Sequence, residues 1–249
     1  MNKLYIISPL NQFEVTNLIG INAPILGNLH LNVTNLSLYS IFVVLIILGL
    51  HINNKIIPNL WSIPKESAFS SLNAMVRDQI NSEIYFPFIY SIFWYILIAN
   101  LISNVPYSFA VTASGIVSLG LSVTIFIGVT ILAFYSHGWK FFAFFIPSGT
   151  PLTLVPLLVL IELISYLARA VSLGVRLFAN ITAGHTLLKI LSTYLFKLFT
   201  GNVVVAIFTL IPFAIFLALV GLELAVSLIQ AFVFTLLVCS YIRDAIELH

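Results

Sequence analysis

The chain has 249 residues, of which 61% are hydrophobic and only 7% are charged, and its formal net charge is +2. Soluble domains carry about 25% charged residues, so this composition predicts an integral membrane protein. The small net charge and the lack of a basic cluster in the sequence argue against a nucleic-acid partner. The single cysteine, Cys239, excludes an intrachain disulfide framework and a cysteine-based metal site. We expect neither a cofactor nor a metal.

Apolar segments of about 20 residues, the length that crosses a bilayer, predict helices in one membrane domain over 1–249. The first predicted span covers 36–52. The segment 66–83 has apolar residues at helical spacing and charges elsewhere, which favours an amphipathic helix on the membrane surface; a solvated linker helix is the alternative. A transmembrane helical hairpin is predicted over 85–135, around a short uncharged connection.

Two long apolar segments complete the chain within 151–247, with a turn predicted at Gly201-Asn202. A straight helix of 45 residues would be about 68 Å long, roughly twice the thickness of the hydrocarbon core. Each segment is therefore either strongly tilted or broken into two spans, and the sequence leaves both possibilities open.

The positions of lysine and arginine predict the orientation of the chain. Loops on the inner side of a membrane are enriched in these residues. With the N-terminus outside, four of them fall in inner connections: Lys55, Lys65, Arg77 and Lys140. The prediction is five passes, with the N-terminus outside and the C-terminus inside.

Three charged residues share one face of the first long segment. Glu162, Arg169 and Arg176 recur every seven residues, a spacing that returns a helix to nearly the same face. A plain ion pair between Glu162 and Arg169 is the alternative, although about 10 Å of helix axis separates them. Arg176 is harder to explain as a structural residue, because arginine stays protonated and a charge inside a bilayer is costly.

The second long segment carries a similar polar face. Glu223, Gln230 and Asp244 follow one another at intervals of seven and fourteen residues. A simple interfacial role near the C-terminus is the alternative for Asp244.

In the predicted topology the protonatable residues form two groups near opposite membrane surfaces. His185 lies with Glu223 toward the outside, and Glu162 lies with Asp244 toward the inside. Carboxylates and imidazoles can relay protons, whereas the guanidinium of Arg176 cannot. The pattern predicts two aqueous half-channels that Arg176 separates; a packed structural role is the alternative for His185.

The segment ELISYLARAVSLGVRLFANITAGH, residues 162–185, resembles the signature of subunit a of F-type ATP synthases. The likeness extends to PSGTP at 147–151, to Glu223 with Gln230, and to YIRD at 241–244. The opening SPLNQFE, residues 8–14, is most similar to fungal mitochondrial members. One polar residue near the hairpin connection, Asn104, has no function that we can assign from this pattern.

The resemblance implies a role for each candidate residue. Arg176 is expected to be the essential charge that faces a rotating ring of c subunits. Proton uptake is expected near His185, Glu223, Asn180 and Gln230. Proton release is expected near Glu162, Asp244, Arg169, Tyr166 and Tyr241.

The resemblance also implies the setting of the chain. Its last two helices would form a strongly tilted hairpin against the c-ring, and further partners would be peripheral-stalk and small membrane subunits. The chain would lie in the mitochondrial inner membrane, with its N-terminus in the intermembrane space and its C-terminus in the matrix. Residues 1–7 would be a removable leader.

The strongest rival hypothesis is a small ion channel or secondary transporter subunit that works alone. A transporter should show internal repeats or matching broken spans, and the first half of the chain has no counterpart of the polar faces. A haem-binding cytochrome b needs paired intramembrane histidines, and the five histidines are scattered. An intramembrane serine protease needs a Gly-x-Ser-Gly site, and residues 112–115 lack its first glycine.

Overall fold

The computed structural model describes residues 9–23, 29–52, 62–80, 83–105, 108–139, 141, 146, 154–200 and 208–246. Six α-helices lie in this part of the chain: α1 (Asn35–Ile52), α2 (Ser62–Ile80), α3 (Phe86–Ser103), α4 (Gly115–His137), α5 (Val155–Phe199) and α6 (Leu210–Ile246). The predicted leader, the PSGTP motif and the Gly201-Asn202 turn fall outside the described residues.

Five helical segments in the described residues are long and apolar enough to cross a membrane: Asn35–Ile52, Glu83–Ser103, Gly115–His137, Val155–Phe199 and Leu210–Ile246. Large apolar side chains remain exposed along several of them, including Leu157 and Ile164 on α5 and Leu222 on α6. Apolar surface of this extent is typical of a protein that contacts lipid or partner subunits. The prediction of an α-helical integral membrane protein is confirmed.

An antiparallel hairpin precedes α1 and was not predicted. It joins β1 (Asn17–Ala23) to β2 (Leu29–Thr34), with Gly20 opposite Asn32. Apolar and polar residues alternate strictly from Leu29 to Thr34, which is the period of a half-buried strand. The signal was therefore present, in a stretch too short to stand out beside the apolar spans.

The first long segment forms a single helix. α5 runs for 45 residues without a break, which corresponds to about 68 Å at 1.5 Å per residue. Of the two possibilities that the sequence left open for this segment, the unbroken helix is therefore the one observed. α2 begins at Ser62, four residues earlier than the predicted segment, because Pro64 falls in its first turn, where proline is tolerated.

The chain forms two compact units, each built from three stretches of sequence. The described parts of 1–50, 95–114 and 179–229 form the first unit, and those of 51–94, 115–178 and 230–249 form the second. In the first unit, Phe13 packs against a buried cluster of Ala110, Ala113 and Ile181. In the second, a Cβ on Gly174 would lie 3.0 Å from the Cα of Leu119, so the glycine lets α5 approach α4 closely.

Candidate functional site

The second unit brings together the residues predicted for proton release. The guanidinium of Arg169 lies between two carboxylates, with Nη1 donating to Oδ2 of Asp244 at 3.0 Å and Nη2 donating to Oε1 of Glu162 at 3.5 Å. All three side chains are about one-third exposed. We call Glu162, Arg169 and Asp244 the Arg169 cluster. It holds two proton acceptors around one fixed charge, in a place that water can reach.

Arg169 and Glu162 form the ion pair that the sequence left open as an alternative, although about 10 Å of helix axis separates the two residues. Side chains on a helix lean toward its N-terminus, so the long arginine side chain of residue 169 extends back toward residue 162. The structure therefore contains an ion pair between Arg169 and Glu162. It is shared with Asp244, which the spacing along α5 alone did not predict.

Two tyrosines border the Arg169 cluster. The hydroxyl of Tyr241 donates to the backbone carbonyl of Arg169 at 3.4 Å. The guanidinium of Arg169 lies 5.7 Å from the centre of the Tyr166 ring, a cation–π distance. The Tyr166 hydroxyl shares a 3.0 Å hydrogen bond with Thr130. Both tyrosines line one pocket with Arg169 and Asp244, which contains about 410 Å³ of empty space.

Arg176 presents an exposed side chain on α5 of the second unit. Its guanidinium makes no hydrogen bond or ion pair with any residue that the structure describes. Arginine stays protonated, so this group is a permanent positive charge on a helix long and apolar enough to span a membrane. Such a charge calls for a partner outside the described chain, because an unpaired charge in hydrocarbon is costly.

The first unit brings together His185 and Glu223. Nδ1 of the imidazole lies 3.7 Å from Oε1 of the carboxylate, and both side chains are mostly buried. Gly184 makes this approach possible, since a Cβ at that position would lie only 2.8 Å from Oε1 of Glu223. We call His185 and Glu223 the His185–Glu223 pair. It can accept and donate protons within a largely apolar setting.

A cleft with about 600 Å³ of empty space borders Glu223 of the His185–Glu223 pair. Asn180, Glu223 and Ser227 supply its polar lining, among mainly apolar side chains. Gln230, the remaining residue predicted for proton uptake, is buried and belongs to the second unit. Its Nε2 has no hydrogen-bond partner among the described residues.

Sequence reasoning missed a buried polar network next to this cleft. Asn100 is fully buried, receives a 3.0 Å hydrogen bond from Thr112, and donates to the backbone carbonyl of Ser227 at 3.5 Å. Asn104 donates to the hydroxyl of Ser227 at 3.4 Å. Ser227 lies one helical turn beyond Glu223. The network therefore fixes the turn of α6 that follows Glu223. Its signal was two asparagines four residues apart, Asn100 inside the apolar helix α3 and Asn104 directly after it.

Comparison with known proteins identifies the family of the chain. A family model described as ATP synthase A chain matches residues 33–243. ATP synthase subunit a of Mycosarcoma maydis is 59% identical over 248 residues, which cover 97% of this chain and 98% of that protein. The corresponding proteins of Emericella nidulans and Kluyveromyces lactis are 51% and 46% identical, and the alignments cover at least 98% of both chains in each case. The chain belongs to the ATP synthase A chain family.

Proposed function

We propose that the chain is the proton-translocating stator of the membrane motor of ATP synthase. It binds no nucleotide itself and converts proton flow into rotation of a ring of small subunits. The observation that carries the proposal is Arg176, an exposed permanent charge that follows Arg169 and precedes His185 along the helix α5. Protonatable residues thus stand before and after a group that cannot relay a proton.

The His185–Glu223 pair serves as the proton-uptake site. An imidazole and a carboxylate 3.7 Å apart can pass a proton between them after a small side-chain movement. The adjoining cleft gives water a route to the carboxylate, with the amide of Asn180 in its wall. Gln230 lies seven residues after Glu223 on α6 and is proposed as a further uptake residue.

The Arg169 cluster serves as the proton-release site. Glu162 and Asp244 each accept a hydrogen bond from Arg169. Both carboxylates are about one-third exposed, so water can take a proton from them. The Tyr166 ring lies against the guanidinium of Arg169, and the Tyr241 hydroxyl bonds the backbone of the same residue.

Arg176 couples the two sites to rotation. A proton from the uptake site neutralises a carboxylate of the ring, and the neutral carboxyl group can then face lipid at little cost. After nearly a full turn the carboxyl group gives its proton to the release site and becomes ionised. The ionised carboxylate passes Arg176, whose positive charge attracts it and excludes a continuous proton path.

The proposed partners are the c-ring, the peripheral stalk and small membrane subunits, in the mitochondrial inner membrane. The N-terminus would lie in the intermembrane space and the C-terminus in the matrix, with the amphipathic helix α2 on the matrix surface. One contact supports this orientation. Phe13 packs against the ring of His185, which supports an N-terminal segment on the same side of the membrane as the proposed uptake site.

Thiol labelling from each side of the membrane tests the proposal. Leu187→Cys places a thiol in the uptake cleft, and Tyr241→Cys places one in the release pocket. The native Cys239 is fully buried, so the unmodified chain is the control for background labelling. We expect a charged, membrane-impermeant reagent to label residue 187 only from the intermembrane-space side and residue 241 only from the matrix side. Labelling of both from one side would contradict two half-channels.

Gly184→Ala is expected to slow ATP synthesis roughly tenfold, because misplacing a reacting group by a fraction of an ångström has effects of this order. The added methyl group would displace the Glu223 carboxylate from His185. The rate of ATP synthesis per assembled complex is the measurement. Gly221→Ala on α6 is the matched control, since nothing lies within 4 Å of a Cβ there. Equal rates for the two variants would show that the close approach of Gly184 has no functional role.

A further inference from the structure

We infer that Phe13 is a positioning residue for His185, and that the segment 10–16 covers the His185–Glu223 pair. This inference rests on the proposed role of the pair in proton uptake and names a residue outside α5 and α6 that serves it.

The aromatic ring of Phe13 meets the imidazole of His185 edge to face. The ring centroids lie 6.3 Å apart and the ring planes are inclined by 71°, a favourable geometry for two aromatic rings. Phe13 is itself held in place, half-buried against Ala110, Ala113 and Ile181. Ile181 lies one helical turn before His185, so Phe13 bridges the imidazole and the buried cluster.

Hydrogen bonds to Asn35 anchor the segment that carries Phe13. The Asn35 side chain accepts a 3.2 Å hydrogen bond from the backbone N–H of Thr16 and donates a 3.1 Å hydrogen bond to the carbonyl of Glu14. The backbone N–H of Asn35 also donates to the carbonyl of Thr16 at 3.1 Å. The segment is thus hydrogen-bonded to Asn35, the first residue of α1, and these bonds hold the backbone next to Phe13 in place.

The imidazole depends on this packing for its orientation. Its Nε2 is buried, and neither ring nitrogen makes a hydrogen bond with any described residue. Without a hydrogen bond to set the ring angle, the neighbouring side chains must keep Nδ1 directed toward Glu223. Phe13 is the aromatic side chain that contacts the imidazole in the described part of the chain.

Three ionisable groups lie on the elements that carry or contact the imidazole. Glu223 faces it from α6, Lys189 follows one turn later on α5, and Glu14 is the neighbour of Phe13 in the covering segment. The connection 110–113 contributes no charge. A change in pH dependence must therefore be assigned to His185 with a variant of His185 itself.

The test compares Phe13→Ala, Phe13→Leu and the exposed control Leu18→Ala in the assembled complex. The rate of ATP synthesis is measured as a function of the pH on the intermembrane-space side, while the pH on the matrix side is kept constant. Each rate is divided by the amount of assembled complex, which a native gel gives. For Phe13→Ala we expect a threefold to roughly tenfold loss and a displaced pH profile, because a positioned relay group has moved. Phe13→Leu should restore the amount of complex, since it fills the apolar space, but leave the pH profile displaced. Leu18→Ala should match the unmodified complex.

A double variant, Phe13→Ala combined with His185→Ala, distinguishes the possible outcomes. In a chain that already carries His185→Ala, Phe13→Ala should cause no further shift in the pH profile, because the effects of coupled residues are not additive. If His185→Ala alone leaves the rate and its pH dependence unchanged, the proposed role of the pair fails. If His185→Ala is defective but Phe13→Ala keeps the normal profile, with or without a smaller amount of complex, the inference about Phe13 is overturned and the role of the pair stands.

Discussion

Replacing Arg176 with alanine is expected to abolish ATP synthesis while the complex still assembles. The guanidinium is exposed and makes no contact that packing of the described chain requires, so its loss should not unfold the protein. Without the charge, ionised ring carboxylates lose their attractive partner, and protons can pass between the two sites without rotation. ATP synthesis should therefore cease, and passive proton conductance of the membrane should rise.

Two further variants sharpen this prediction. Arg176→Lys keeps a positive charge, but an ammonium in an apolar setting can lose its proton, so partial coupling with a residual leak is expected. Arg77→Ala removes another exposed arginine, whose ion pair with Glu83 lies at the surface. Surface ion pairs contribute little, so this control should synthesise ATP at a nearly normal rate. Normal synthesis by the alanine variant of residue 176 would refute the role assigned to it.

Replacing Glu223 with glutamine is expected to lower ATP synthesis roughly 100-fold, the usual size of the contribution from a group that transfers protons. Glutamine has nearly the same shape as glutamate and fits beside Gly184, but its neutral amide group cannot relay protons as a carboxylate does. Passive proton conductance should fall with the synthesis rate, in contrast to the leak expected for Arg176→Ala. Measuring both quantities on the same membranes distinguishes a blocked uptake path from a lost barrier.

The control for Glu223→Gln is Glu83→Gln, a carboxylate outside both candidate sites with an exposed side chain. It should leave synthesis and conductance unchanged. Glu223→Asp keeps a carboxyl group at a greater distance from His185 and should retain part of the activity. If glutamine at position 223 supported the same rate as aspartate, proton transfer through this residue would be ruled out.

The parts of the site that depend on helix spacing could be predicted from the sequence. Residues seven apart share a helix face, so the position of Glu162, Arg169 and Arg176 along one face of α5 could be predicted from their spacing. The pairing of His185 with Glu223 followed from counting residues along two helices that run in opposite directions. Such predictions are possible because long apolar helices have few alternative geometries in a membrane.

Other features depend on contacts between distant parts of the chain. Nothing in the N-terminal sequence indicates that Phe13 lies against His185, because that contact is set by how the segment folds back onto the helices. The hydrogen bonds of Asn100 to Thr112 and Ser227 likewise require three elements to meet. The sequence does not distinguish Gly184 from other small residues in α5. Its importance depends on the position of the Glu223 carboxylate, which a Cβ at residue 184 would meet.

An image of the chain beside its ring, at a resolution that shows ordered water, tests the central claim most directly. We predict two separate water-filled cavities. One should reach the His185–Glu223 pair from the intermembrane space, and the other should reach the Arg169 cluster from the matrix. The guanidinium of Arg176 should lie between them and face a ring carboxylate. One continuous cavity past Arg176, or two cavities that open on the same side, would contradict the account.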